Sequence, residues 1–180
     1  MQKNWLVLNI NKKYFLRVGN KTLQCQIGSK GLRNPVKKVE GDKTTPIGKW
    51  YFRSLYYRSD RVLRPKLKKK NFSKINQITE NCGWCDDVKS IHYNKFINIK
   101  NILKKNVSFE RLWRQDNAYD IIIELSHNTN PIIKNKGSAI FIHCSFEDLK
   151  ATSGCVAIKK RDLIFLIRNL KRDTYIQIKN

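Results

Sequence analysis

A cysteine and a histidine near the end of the chain have the types and spacing needed for nucleophilic catalysis. His143 closes the apolar run 140–142, and Cys155, twelve residues later, precedes the apolar run 156–158. If both runs are strands, the imidazole and the thiol emerge where neighbouring strands end. A free thiol is mostly protonated at neutral pH, so a cysteine that attacks a carbonyl carbon needs a base. The pattern therefore predicts a cysteine nucleophile paired with a histidine.

Gly154, directly before this cysteine, has a use in the same chemistry. A residue without a side chain lets the backbone turn sharply and lets a substrate approach. The amides of Gly154 and Cys155 are then candidates for donors to a developing oxyanion. A histidine on an apolar strand is more often a core residue than a catalyst, so the structural alternative for the pair stays open.

Length and composition indicate one globular domain over residues 1–180. No apolar run approaches the ~20 residues of a membrane span. The first ten residues alternate as a strand does and lack the apolar core of a signal peptide, so no export signal is visible. Cys82 and Cys85 have the spacing of a redox dithiol, but no second pair at metal-ligand spacing follows. We therefore expect neither a metal nor a cofactor.

The formal net charge of +23 favours anionic partners. Lys outnumbers Arg 26 to 11, and Asn and Ile are also frequent, which is the joint bias of an AT-rich coding sequence. We therefore expect no nucleic-acid partner. The densest basic run, 61–70, is interpreted as a solvated loop, with attraction of an acidic polymer as the alternative.

The pattern of apolar residues predicts a mainly β fold, α+β at most. A long insertion that helps to form the active site is expected over 54–118, with one helical turn at 109–113. The predicted strands are 5–10, 14–18, 23–27, 49–53, 120–125, 138–142 and 174–178, and the predicted helix is 162–170.

Two segments resemble the signature of the YkuD family, the L,D-transpeptidase catalytic domain. The stretch 143–158 resembles the family's strand-ending His followed by Ser/Thr-x-Gly-Cys-hydrophobic. The stretch 41–50 resembles its Gly-Asp-x-x-Thr-Pro-x-Gly-x-Phe element, and the likeness to a compact bacterial subgroup covers nearly the whole chain. The resemblance implies a β-sandwich of mixed sheets with one short C-terminal helix.

The resemblance also implies a reaction. Cys155 would be the nucleophile of an acyl transfer on peptidoglycan stem peptides, through a thioester, and His143 the base that later protonates the leaving amine. The backbone carbonyl of Cys144 would orient the imidazole, and the Gly154 amide would serve the oxyanion. A monomer in the periplasm or cell envelope is expected, although no signal peptide is visible.

This sequence departs from better-known members at two positions. Ser153 replaces a His before the Gly, and Ala157 replaces an Arg that helps to hold an anionic substrate or the loop. Lys159, Lys160 or Arg114 are candidates to replace that Arg. For the polar cluster between the two motifs, substrate contact and loop-fixing hydrogen bonds are both open. The candidate substrate-binding residues are Thr152, Ser153, Trp84, Asp86, Asp87, Tyr93, Asn94 and Arg114.

Two alternatives to transpeptidation remain at this stage. Transfer of the acyl group to water at the same site would make an L,D-carboxypeptidase or amidase, and the sequence does not decide between water and an amine. A non-catalytic basic module that binds an anionic polymer would leave His143 and Cys155 as structural residues. Its binding would fall steeply with salt and survive Cys155→Ala.

Overall fold

The computed structural model describes residues 5–11, 13–65, 72–102, 106–146, 150–170 and 173–179. Residues 66–70 of the predicted basic loop lie outside these ranges. The strands are β1 Trp5–Ile10, β2 Lys13–Val18, β3 Lys21–Gln26, β4 Leu32–Arg33, β5 Thr45–Pro46, β6 Gly48–Tyr57, β7 Lys74–Gln77, β8 Cys82–Cys85, β9 Lys95–Asn98, β10 Phe109–Arg111, β11 Ile121–Leu125, β12 Phe141–Cys144, β13 Val156–Ile158 and β14 Tyr175–Ile178. The α-helix is α1 Lys160–Arg168, and short 3-10 helices span Pro35–Lys37 and Ile99–Asn101.

The largest sheet holds nine strands in the order β11-β12-β13-β3-β2-β1-β14-β6-β7. β6 also pairs with β11, so the sheet closes on itself and only β7 lies outside the ring. Most pairs are antiparallel, but β1 with β14, β12 with β13 and β6 with β7 are parallel. The mainly β fold with mixed sheets and one C-terminal helix is confirmed.

The two faces of β11, β12 and β13 bury two different apolar clusters. On one face Ile123, Ile142 and Val156 join the larger core, which α1 covers with Leu163 and Ile167. Alternate residues point to the other face, as the period of two in a strand requires. Ile122, Phe141 and Cys155 there pack with Trp84 and Tyr119 in a second cluster. The catalytic candidates thus lie on the face opposite the helix.

Described strands within 54–118 supply the cover of this second face. A three-stranded sheet, in the order β10-β8-β9, lies within this segment. The prediction of a helical turn at 109–113 is wrong, because Phe109 to Arg111 pair as a strand with β8. The edge of Trp84, from β8, meets the ring of Phe141 at a centroid distance of 5.0 Å. The small sheet therefore packs directly on the strand that carries His143.

The predicted strand 138–142 begins later than expected. Ala139 adopts a left-handed conformation with φ of 51°, which interrupts an extended backbone, and β12 starts at Phe141. The other predicted strands and the helix lie where expected, with α1 two residues earlier at both ends and β6 longer.

Within the described ranges, neither α1 nor the 3-10 helices are long and apolar enough to cross a bilayer.

Candidate active site

His143 and Cys155 come from neighbouring parallel strands and line one cleft of about 470 Å³. In the β12–β13 ladder His143 pairs with Ala157, which lies two residues after Cys155. Because side chains two residues apart share a face, the imidazole and the thiol point to the same side of the sheet. Both residues are largely buried, with 5% and 8% of their surface exposed. The cleft is thus lined by a largely buried thiol and a largely buried imidazole.

The ring of His143 is held from two sides. Its Nδ1 lies 2.9 Å from the carbonyl oxygen of Cys144, and the Tyr119 ring meets it edge-on at 5.2 Å between centroids. Burial lowers the pKa of His143 to about 4, and the hydrogen bond to the Cys144 carbonyl offsets this only in part. The ring is therefore neutral at pH 7. Since a carbonyl only accepts, Nδ1 carries the proton of the neutral ring and Nε2 is the nitrogen without one.

The Cys155 thiol is bound to the backbone of the preceding segment. It donates to the carbonyl oxygen of Ala139 at 3.1 Å and accepts from the Phe141 amide at 3.4 Å. Burial, together with a smaller effect of the charge of Glu110, raises the pKa of Cys155 to about 12. Among the residues described, no hydrogen bond joins this sulfur to His143. In the resting state the cleft thus holds a neutral thiol and a neutral imidazole.

The loop before the cysteine is closed by Thr152. Its hydroxyl donates to the carbonyl of Cys155 at 2.7 Å and accepts from the Gly154 amide at 3.1 Å. Gly154 has φ of 147°, and a Cβ there would lie 3.0 Å from the carbonyl oxygen of Thr44. The position therefore requires glycine. For the Gly154 amide to serve an oxyanion, as predicted, its bond to Thr152 must first be exchanged.

The motif at 41–50 supports this loop from the other side. Thr45 Oγ1 accepts from the Gly28 amide at 2.8 Å and donates to the carbonyl of Gly154 at 2.7 Å. Partial burial acts to raise the pKa of Asp42, but hydrogen bonds from Lys38, the Val39 amide and Thr44 outweigh it and lower the value to about 2. Sequence reasoning did not include Thr45 among the site residues. The Thr-Pro of the motif was its only signal.

Four of the predicted substrate-binding residues line the cleft: Thr152, Ser153, Asp86 and Arg114. The Arg114 guanidinium donates to Asp116 at 2.6 and 2.9 Å and lies 3.9 Å from Glu110. Lys159 and Lys160, the other candidates for the missing Arg, are not in the lining, and Lys160 pairs with Asp120 at 2.7 Å. Arg114 is therefore the only one of the three that faces the cleft.

The other four lie behind the lining, in hydrogen bonds that fix loops. Trp84 Nε1 donates to Asn94 Oδ1 at 3.0 Å, and Asn94 Nδ2 donates to the carbonyl of Asn128 at 2.6 Å. The Tyr93 hydroxyl donates to Glu40 at 2.5 Å. Asp87 accepts from the Lys89 amide at 2.8 Å, as in a turn. Their geometry matches the loop-fixing alternative.

Several cleft residues were not predicted from the sequence. Tyr119 donates to Glu110 at 2.6 Å, and burial raises the pKa of Glu110. Ser138, Glu40, Lys38 and Phe146 also line the cleft, and none of them was predicted to take part in the site.

The other cysteines stand apart from this chemistry. All five thiols are free and buried. Cys82 and Cys85 are three residues apart in β8, so their side chains point to opposite faces of the strand. In the described part of the chain, no group of three or more His, Cys, Asp or Glu side chains is placed to hold a metal ion.

Comparison with known proteins gives a family. The model of the L,D-transpeptidase catalytic domain, YkuD, matches residues 3–178. No curated protein sequence matches the chain. Among solved structures, Mycobacterium tuberculosis L,D-transpeptidase 1 is similar at 6% identity and a TM-score of 0.40, over 98% of this chain and 61% of that one. An L,D-transpeptidase from Mycobacterium smegmatis is similar at 7% identity and 0.38, over 99% and 59%.

The chain thus spans about three fifths of the length of these solved structures. The family match, by contrast, extends over nearly all of its 180 residues. The chain belongs to the YkuD family of L,D-transpeptidase catalytic domains.

Proposed function

We propose that this protein catalyses acyl transfer on peptidoglycan stem peptides through a thioester on Cys155. The observation that carries the proposal is the placement of Cys155 and His143 in one cleft, on adjacent parallel strands, with the ring held by the Cys144 carbonyl. Membership of the L,D-transpeptidase family supports the substrate class.

The first step begins with a turn of the thiol. Its proton points at Ala139 in the resting state and must swing toward His143 Nε2. Because burial disfavours both the thiolate and the imidazolium, the proton moves as the sulfur attacks the carbonyl carbon. A C–S bond forms, the carbonyl oxygen becomes an oxyanion, and Nε2 holds the proton.

Collapse of the tetrahedral intermediate breaks the C–N bond. The leaving amine, terminal D-alanine in a tetrapeptide stem, takes the proton from His143, and a thioester remains on Cys155. The Cys155 amide, and the Gly154 amide once released from Thr152, are the proposed oxyanion donors. An acceptor amine then attacks the thioester, gives a new amide and returns the thiol. Water in place of the amine gives a carboxylic acid, so hydrolysis is the alternative outcome at the same site.

The proposal is tested with purified protein and tetrapeptide-stem muropeptides, with products followed by mass spectrometry. Crosslinked dimers indicate transfer and tripeptides indicate hydrolysis. The Cys155→Ala variant should form neither, whereas Cys25→Ala, which removes another buried thiol, should keep the activity. A carbapenem should add its mass to the wild type and to Cys25→Ala but not to Cys155→Ala. Unchanged muropeptides and no adduct on folded wild type would refute the proposal.

The substrate class also sets the expected location. Peptidoglycan lies outside the cytoplasmic membrane, so we propose that the protein acts in the cell envelope. Fractionation of cells with an antibody against the native protein tests this, and recovery of the whole pool with cytoplasmic markers would contradict it.

A further inference from the structure

Two buried polar atoms in the catalytic cleft have no partner. Ser138 is only 7% exposed, and its hydroxyl oxygen makes no hydrogen bond within the described residues. Oδ1 of Asp86, another residue of the cleft lining, is also buried and makes no hydrogen bond within the described residues. A buried polar atom without a partner carries a desolvation penalty that native structures rarely leave in place. Both atoms are therefore unpaired hydrogen-bonding groups in residues that line the cleft.

Asn94 fixes the two segments that carry these atoms. Its amide donates to the carbonyl of Cys85, the residue before Asp86, at 2.8 Å. Its side-chain Oδ1 accepts from the amide of Ala139, the residue after Ser138, at 3.1 Å. Ala139 in turn accepts the proton of the Cys155 thiol. The unpartnered atoms are thus held by the same scaffold that orients the nucleophile.

The carboxyl groups of this wall favour a cationic ligand. Glu110 and Glu40 line the cleft beside Asp86, in a protein whose net charge is +23. Burial raises the pKa of Glu110, and the charge of Asp86 adds to that rise, so the two carboxyl groups repel one another. Lys38 pairs with Asp42 at 2.5 Å, and Arg114 pairs with Asp116 at 2.6 Å and lies 3.9 Å from Glu110. Asp86, by contrast, forms no ion pair within the described residues.

The unpartnered oxygens of Asp86 and Ser138 can accept hydrogen bonds, and an ammonium group can donate them. A primary ammonium has three N–H donors and no acceptor, which suits a carboxylate, a hydroxyl and a second carboxyl group. We propose that Asp86 and Ser138, with Glu110 beside them, bind a primary ammonium group of the substrate next to Cys155. The inference rests on the proposed function, because it takes the cleft to be the acyl-transfer site. The ammonium belongs either to the side chain of a diamino acid in the donor stem or to the acceptor.

The donor source is tested by binding, without catalysis. In a Cys155→Ala background, calorimetry compares a tetrapeptide stem that has a free side-chain amine at its third residue with the same peptide N-acetylated. The free amine should bind about 10- to 100-fold more tightly, as expected for a charged hydrogen bond. Asp86→Asn should reduce that ratio to near one, and Ser138→Ala should reduce it less. Asp87→Asn is the matched control, because Asp87 lies outside the lining, and it should leave the ratio unchanged.

The acceptor source is tested with the active protein. The N-acetylated tetrapeptide serves as donor and an amine-bearing stem as acceptor, and the ratio of transfer to hydrolysis is measured. If the ammonium comes from the acceptor, Asp86→Asn lowers this ratio about tenfold and Asp87→Asn does not.

The two proposals can fail separately. Discrimination between free and acetylated peptide, with no thioester on the wild-type protein, would refute acyl transfer and leave the ammonium subsite standing. The subsite is overturned if two results occur together. Asp86→Asn and Asp87→Asn give the same ratio of affinities for free and acetylated peptide in calorimetry, and Asp86→Asn leaves the ratio of transfer to hydrolysis unchanged. The subsite is also overturned if neither peptide binds in calorimetry and Asp86→Asn leaves the ratio of transfer to hydrolysis unchanged.

Discussion

The hydroxyl of Thr45 donates a 2.7 Å hydrogen bond to the carbonyl of Gly154, 109 residues along the chain. The same oxygen accepts from the Gly28 amide, so one buried side chain joins the loop after β3, the motif at 41–50 and the turn that carries the nucleophile. Because Gly154 directly precedes Cys155, this bond fixes the direction in which the thiol enters the cleft. The two motifs recognised in the sequence are therefore parts of one structural unit.

The first prediction concerns Thr45. Thr45→Val keeps the shape but leaves the Gly28 amide and the Gly154 carbonyl without a partner, so unfolding free energy should fall by about 1–3 kcal/mol. The rate of carbapenem acylation of Cys155 should fall as well, since the turn is no longer held. Thr45→Ser keeps the hydroxyl and should restore most of both quantities. Equal acylation rates for the Val and Ser variants would contradict this role.

The second prediction concerns the backbone at Gly154. Its φ of 147° lies in a region used almost only by glycine, and a Cβ would also crowd the Thr44 carbonyl. Gly154→Ala should therefore destabilise the fold and abolish acylation. Gly31→Ala is the control, because Gly31 also has a positive φ, of 78°, but a Cβ there meets no atom closer than 3.8 Å. Urea unfolding of the two variants compares the costs, and a smaller loss for Gly154→Ala would be evidence against the clash.

The parts of the site that could be predicted from the sequence depend on local pattern. His143 ends an apolar strand and Cys155 follows a glycine, so their placement required only that the two runs be neighbours. The fold class followed from strand-length runs in the same way. Ala139 shows the limit of such reasoning, because its left-handed backbone is imposed by tertiary contacts and is not an alanine preference.

Long-range contacts account for the rest. Asp86 and Asp87 are adjacent and chemically identical, yet only Asp86 lines the cleft while Asp87 accepts from a turn amide. Phe109 and its neighbours became a strand because β8 offers them a partner edge. Ser138 was not predicted as a site residue, and it joins the cleft lining only through the packing of distant segments. None of these facts is encoded within a few residues of its position.

The third prediction concerns Asn94, which bonds to Trp84, Ala139 and Asn128. Asn94→Ala removes an acceptor from two donors and a donor from the carbonyls of Asn128 and His127, and we expect a loss of about 2–4 kcal/mol in unfolding free energy. Acylation of Cys155 should slow, because Ala139 orients the thiol. Asn98→Ala, which removes one exposed bond to the Lys100 amide, should cost about 1 kcal/mol and leave the acylation rate intact. Similar acylation rates in the two variants would argue against the proposed scaffold.

The fourth prediction concerns stability in acid. Burial lowers the pKa of His143 to about 4 and that of His127 to about 4, whereas an unfolded histidine titrates near ~6.5. Between these values the unfolded chain binds more protons than the folded one, so stability rises with pH in that window. The stability that the two neutral histidines contribute is complete above pH ~6.5 and is lost as the pH falls toward 4. Each pKa unit corresponds to about 1.4 kcal/mol, so the share of His143 is roughly 3 kcal/mol.

The measurement is urea unfolding of wild type and His143→Gln at pH 7 and pH 4.5. The variant should lose less free energy than wild type between the two pH values, by about 2 kcal/mol, because glutamine takes up no proton. His92→Gln is the control, since His92 is exposed, and its loss should follow that of wild type. Burial also raises the pKa of Glu110, and contributions from such carboxyl groups cancel in the difference between variants. If wild type and His143→Gln gave equal losses, the imidazole would not be held neutral by burial, and the proposed proton transfer during sulfur attack would lose its basis.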